Sequence, residues 1–245
     1  VFGDWSSDVC SSDLAGRCGV GAVMGSKKLK AIAIRGTKQV EVKNKDALTE
    51  SVKRLHELVK ESPMAAVYKQ FGTPTGIDSM SGVGDVPVQN YTQSRWNGHK
   101  AIGAEALAAR GEIKHHACFM CPVACTGMVK YNEEFVRWPE YETLAMLGSN
   151  LLIDNLESLI RWNVKANDLG LDTISLGGVL ALFFEASERG LIKANMEELG
   201  FLPDPEKQVI FQIWGSVPGV EKLMDLIASR KDIGNDLAEG VKILC

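Results

Sequence analysis

The chain has no long apolar run: its longest, Ile174 to Phe184 (ISLGGVLALFF), covers 11 residues. That is too short to cross a bilayer and reads as a buried helix. It has no basic block either. Lys and Arg number 27 against 31 Asp and Glu, a net charge of −4, and aromatic residues do not interleave with the basic ones. Nucleic acid is therefore excluded as the main partner, and no membrane partner is expected. Neither the charged n-region nor the apolar h-region of a secretory leader opens the text. Cysteine is sparse, with six in 245 residues, which is no disulfide scaffold. A cytoplasmic setting is expected, where clustered cysteines point to metal or redox chemistry. What is present, 45% hydrophobic and 24% charged residues, is enough for a sizeable core in one or two domains.

The opening residues stand apart. DWSSDVCSSDL (Asp4 to Leu14) is crowded with Ser and Asp and has no apolar period. It is similar to one reading frame of a common sequencing-library adapter. Residues 1–14 are therefore read as a non-native scar, Cys10 included, with the natural protein expected to extend upstream of Ala15.

From Ala15 the text changes to AGRCGVGAVMGSKKLKAIAIRG. Gly16, Gly19, Gly21 and Gly25 permit tight turns and close approach to a ligand. KAIAIRG alternates up to Gly36 and suits a strand. The segment lacks the ending of a P-loop, and no strand precedes it as a dinucleotide fingerprint requires. Beyond Val42 the pattern turns helical. Asn44 or Asp46 caps a helix with Leu48, Val52, Leu55 and Val59 on one face. A turn-rich loop is expected over residues 72–98, and a short helix near Ala101–Ala109. Asp154 to Glu157 resembles a capping box that opens a helix closed by Gly170. Asp172 or Thr173 caps the next helix, to about Arg189. A further helix is expected from about Val220 to Ser229, and GNDLAEGVKILC begins a last one. The fold class is mainly α, preceded by a short β remnant. Residues 15–41 form one unit and 42–245 a helical one.

Cys118-x-x-Cys121-x-x-x-Cys125 places three soft ligands in one loop or loop-to-helix turn. Thiolates select zinc, cuprous copper or iron–sulfur clusters. A cubane takes four thiolates, commonly three neighbours and one remote. Structural zinc more often takes two separated pairs, and no second pair exists here. The order is also the reverse of that in radical enzymes using S-adenosylmethionine. His115 and His116 adjoin the cluster, and neither Cys18 nor Cys245 has ligand-like surroundings. The fourth ligand is expected outside this chain.

Together these segments resemble the tungsten-dependent aldehyde:ferredoxin oxidoreductases, in order from Ala15 to the end. AGRCGVGAVMGSKKLKAIAIRG resembles the close of that family's N-terminal pterin-binding domain. Cys118, Cys121 and Cys125 match three ligands of its 4Fe-4S cluster. PEYET (Pro139 to Thr143) matches the segment with a glutamate near the metal, and NDLGLDTIS (Asn167 to Ser175) a DxxGLD pterin-binding motif. DLAEGVK (Asp236 to Lys242) matches a helix that continues further in the family. The resemblance implies the family's helical middle domain, truncated at its C-terminal end. It implies oxidation of a small aldehyde to a carboxylic acid at a tungsten or molybdenum bis-molybdopterin (a tungstopterin), with electrons leaving through the cluster to ferredoxin. Glu142 becomes the implied general acid/base, expected to be a buried carboxylate. Ala15, Gly16, Arg17, Asn167, Gly170, Leu171 and Asp172 become the implied pterin contacts. Asn167 stands where the family pattern has Asp, so that contact carries no charge. The fragment alone is expected to be inactive and to expose apolar surface. Three alternatives stay open: a cluster-bearing electron-transfer subunit, a ring-reducing relative, and a structural zinc module.

Some dimeric family members bridge subunits through one iron held by a glutamate and a histidine. Arg161 and Glu221 fall at those two positions here. Arginine does not ligate a metal, so an Arg161–Glu221 ion pair is expected in its place. This leaves room for a homo-oligomer without a bridging iron.

Overall fold

A computed structural model describes residues 20–33, 35–38, 40–111, 113–118, 120–203 and 211–245. The readings of residues 1–14 and of Ala15, Gly16, Arg17 and Cys18 lie outside them. The chain is mainly helical, as expected. Helices α1 (Val20–Ser26), α2 (Lys45–Glu61), α3 (Pro63–Phe71), α4 (Thr75–Val83) and α5 (Ala104–Ala109) lead to a small sheet. The sheet comprises β1 (Ile113–His116), β2 (Thr126–Tyr131) and β3 (Glu134–Arg137), antiparallel in the order β1-β2-β3. A short helix α6 (Tyr141–Thr143) runs on as a π-helical stretch, Leu144–Gly148, and a 3₁₀ turn, Ser149–Leu151. Then follow α7 (Leu156–Leu169), α8 (Thr173–Glu188), α9 (Val217–Ser229), α10 (Ile233–Leu237) and α11 (Val241–Leu244). Among the described residues no helix is long and apolar enough to cross a membrane.

Local chemistry explains the starts of α2, α7 and α8. The side chains of Asn44, Asn155 and Asp172 accept hydrogen bonds from the backbone N–H groups of Ala47, Ser158 and Ser175, at 3.0, 2.9 and 3.0 Å. Each satisfies one of the donors that a helix start leaves open. Gly170 ends α7 at φ 68° and ψ 36°, so the chain turns sharply into α8. The core lies where α7, α8, α9 and the π-helical stretch meet. Trp162, Phe183, Phe184 and Phe201 are fully buried there, with Leu144, Leu147, Leu159 and Leu180.

Three expectations are corrected and one element is new. The loop expected over residues 72–98 contains α4, whose Ile77 is fully buried. The described residues of 30–36 form no strand; an isolated strand has no ladder to join. The three-stranded sheet was not foreseen. Its β2–β3 turn, Asn132 and Glu133, has both φ values positive, 47° and 65°, as the two-residue turn of a hairpin requires. The expected last helix is two, α10 and α11, interrupted at Gly240. The exposed apolar surface is present. Leu48, Val52, Leu55 and Leu58 of α2 are all exposed.

Candidate functional site

The cysteines occupy the connection between β1 and β2. Pairing of His116 with Thr126 closes that connection, so strands hold both ends of the loop. Met120 and Ala124 adopt positive φ, 58° and 53°, and the Cys121 N–H donates to the Cys118 carbonyl at 3.0 Å. The loop is thereby wound tightly on itself. Cys118, Cys121 and Cys125 are half-buried and in no disulfide. Burial pushes the Cys125 thiol up. The Glu140 carboxylate and the thiols of Cys121 and Cys118 beside it add to that. Three soft donors that feel one another suit an iron–sulfur group, whose positive iron would reverse this penalty on the thiolates. Among the described residues, no group of three or more His, Cys, Asp or Glu is arranged to hold a single metal ion. A cubane spreads its thiolates more widely than one ion does. His115 is exposed and meets the Trp138 ring edge-on, and Cys245 is exposed at the end of α11.

The segment from Trp138 to Thr143 connects this loop to the α7–α8 corner. At one end the Glu140 carboxylate accepts hydrogen bonds from Thr73 Oγ1 and, at 2.5 Å, from Thr126 Oγ1, the residue after Cys125. Arg137 Nη1 also donates to Thr126 Oγ1, at 3.3 Å, and Tyr141 N–H donates to Thr73 Oγ1 at 3.0 Å. At the other end the hydroxyls of Thr143 and Thr173 lie 2.8 Å apart, both buried. Thr173 follows Asp172. The Asn163 amide donates to the Arg137 carbonyl at 3.2 Å, tying α7 to the end of β3 just before this segment.

Glu142 sits between these anchors, but it is exposed. The expectation of a buried carboxylate there is not met, because Glu142 lies on the outward side of α6 while Tyr141 packs against the core and Thr143 is buried in it. Its neighbour Tyr141 is half-buried, and burial raises its phenol pKa, helped by the charges of Asp85 and Glu142. Asp172 is 1% exposed, and its Oδ2 accepts from the Ser175 N–H and hydroxyl, at 3.0 and 2.6 Å. Leu171 is buried beside it, and Asn167 is half-buried in the last turn of α7. The structure thus groups the three cysteines with Glu140, and Asn167, Gly170, Leu171 and Asp172 at one helix corner. Sequence reasoning missed Glu140 and Trp138 as neighbours of the cysteines. The signal available was only their position beside Glu142.

The Arg161–Glu221 pair is present. Arg161 Nη2 bonds Glu221 Oε1, which also accepts from Trp162 Nε1 at 3.3 Å. Lys165 and Asp225 repeat the pairing one turn on, at 2.8 Å.

Comparison with known proteins extends this picture. The chain is 39% identical over 229 residues to a tungsten-containing aldehyde ferredoxin oxidoreductase of Pyrococcus abyssi, covering 92% of this chain and 36% of that protein. It is 31% identical over 234 residues to the WOR-like subunit of an aliphatic sulfonate oxidoreductase of Pyrococcus furiosus, covering 92% and 35%. The chain thus spans about a third of the length of these relatives. A solved structure, the active-site complex BamBC of benzoyl coenzyme A reductase with 1,5-dienoyl-CoA, superposes with a TM-score of 0.70 at 25% identity. That match covers 94% of this chain and 35% of the other. The family description "Aldehyde ferredoxin oxidoreductase, N-terminal domain" matches residues 5–36, a span beginning inside the residues read as a scar. The description "Aldehyde ferredoxin oxidoreductase, domains 2 & 3" matches residues 50–245, and the chain therefore belongs to the aldehyde ferredoxin oxidoreductase family.

Proposed function

We propose that this chain is the cluster-bearing part of an enzyme that oxidises a small aldehyde to a carboxylic acid and delivers the electrons to ferredoxin. The observation that carries the reading is the Trp138–Thr143 segment. It is bonded at one end beside Cys125 and at the other beside Asp172. A tungsten or molybdenum bis-pterin centre would supply the two-electron chemistry, and a 4Fe-4S cluster the single-electron exit. Cys118, Cys121 and Cys125 would hold that cluster. The Asp172 corner would meet polar pterin atoms, with Asn167 offering an uncharged amide where a carboxylate is usual. Glu142, the exposed carboxylate between the two, would take or return a proton at its carboxylate oxygen. Ala15, Gly16 and Arg17 remain proposed contacts to the cofactor phosphates.

A second reading is a ring-reducing relative, favoured by the likeness to the benzoyl coenzyme A reductase complex. Anaerobic purification of the intact protein carrying this chain separates the two. Iron, sulfide and tungsten analysis with aldehyde-dependent viologen reduction supports the first reading if metal and turnover are both found. A protein loaded with iron and tungsten that ignores aldehydes but reduces an aromatic thioester supports the second. Zinc in place of iron refutes both.

A further inference from the structure

One buried group near the cysteines has no task in this scheme. Trp138 is 3% exposed, yet its indole Nε1–H finds no acceptor among the described residues. Buried indole N–H groups normally have a partner, so an orphan of this kind points to an acceptor outside the described residues.

The surroundings say which acceptor. A Cβ on Gly72, which has φ +67°, would run into Cζ2 of the Trp138 ring and stand 2.7 Å from the Cys125 carbonyl oxygen. A Cβ on Gly127 would stand 2.6 Å from Cζ3 and 2.7 Å from Cη2 of the same ring. The indole is therefore clamped between two glycines, one of them two residues after Cys125. Its backbone N–H is fixed to the Gly127 carbonyl at 3.2 Å. Cζ2 adjoins the ring-fusion carbon that carries Nε1. The edge bearing the orphan N–H is thus the edge that faces Gly72, which itself lies against the Cys125 carbonyl.

We infer that the Trp138 indole N–H is a hydrogen-bond donor to a sulfur of the iron–sulfur cluster held by Cys118, Cys121 and Cys125, and that it raises the cluster's reduction potential. This rests on the cluster reading above. Reduction adds one electron, and much of that charge falls on sulfur. A fixed donor therefore stabilises the reduced form more than the oxidised one.

The test is Trp138→Phe in the intact, anaerobically loaded protein, followed by redox titration with detection by electron paramagnetic resonance. The signal of the reduced cluster should persist. Losing the donor should weaken reduction roughly three- to tenfold, a tenfold change being about 59 mV for one electron, in the negative direction. An unchanged midpoint would show that the N–H serves a buried water. A positive shift would show that the ring only excludes solvent, since admitted water favours the more charged, reduced form. Either result overturns the inference. A wild type with no such signal removes the cluster reading itself, and this inference with it. If the variant loads no cluster, wild-type protein labelled with indole-¹⁵N tryptophan decides. A ¹⁵N coupling to the reduced cluster is expected, and its absence refutes the proposal.

Discussion

Helices α2 and α8 are nearly equal in length, each is capped by a side-chain oxygen, and they end in opposite states. None of the 17 residues of α2 is buried, whereas eight of the 16 in α8 are. Both carry apolar residues at helical spacing. An apolar face specifies that something should cover it, while burial depends on the neighbour that does so. α8 has α6, the π-helical stretch, α9 and α11 packed around it. α2 is stabilised by its Asn44 cap and its contact with α3.

The comparison breaks most visibly at Phe184, which is fully buried among the rings of Phe183, Phe201 and Trp214 at 6.4, 5.4 and 5.5 Å. Phe184→Ala should lower stability by about 3–5 kcal/mol, read from the urea midpoint. The α7–α9 ion pairs give the next largest effect. Arg161 and Glu221 are 39% and 37% exposed, so Arg161→Ala should cost only about 0–1 kcal/mol. Glu221→Ala should cost more than Arg161→Ala, because it also strands the Trp162 indole N–H. Equal costs in parallel urea titrations would show that this second bond carries nothing. Leu55→Ala on α2 removes a side chain that is 54% exposed, and its effect should stay within about 0.5 kcal/mol. A loss as large as that at Phe184 would erase the contrast between the two helices.

The smallest effect is a slope rather than a level. Burial raises the Asp78 carboxyl above its ordinary 3.8, even though the Ala104 N–H donates to it at 2.8 Å. The folded state therefore holds this proton more tightly than the unfolded one. The group's contribution to stability is best at low pH and declines as pH rises from about 3.8 through the raised value. Asp78→Asn should remove that decline, seen as a flatter dependence of Tm on pH. An unaltered slope would place the titration elsewhere.

Much of the fold was legible because its signals are local. Asn44, Asn155 and Asp172 act on donors three residues away. The family resemblance and the cysteine spacing located the loop, but nothing short-range announced α4. Its N-cap, Pro74, offers no side-chain bond, and Gly76 and Gly82 lower its helical preference. It is held by the burial of Ile77 and by the bond from Ala104 N to Asp78, 26 residues apart. The role of Glu140 was hidden for the same reason, since Thr73 is 67 residues away. The exposure of Glu142 was illegible too, because the side of α6 that faces the core is set by Thr143 meeting Thr173.

The π-helical stretch Leu144–Gly148 has a consequence for how this region tolerates change. A π turn amounts to an α-helical turn with one residue too many. Deleting a single residue there would let an ordinary helix close, at 3.6 residues per turn. Because the π turn and the α turn that would replace it each complete one revolution, what lies before the stretch would keep its bearing on what lies after it. Trp138, Glu140 and Glu142 lie before the stretch, and Asn163 and Thr173 lie after it. The bearing of the cysteine loop on the Asp172 corner is thus indifferent to this one-residue surplus. A deletion at this place would be taken up as an ordinary turn, whereas one in the plain α-helix of α7 or α8 would swing the residues beyond it by about 100°.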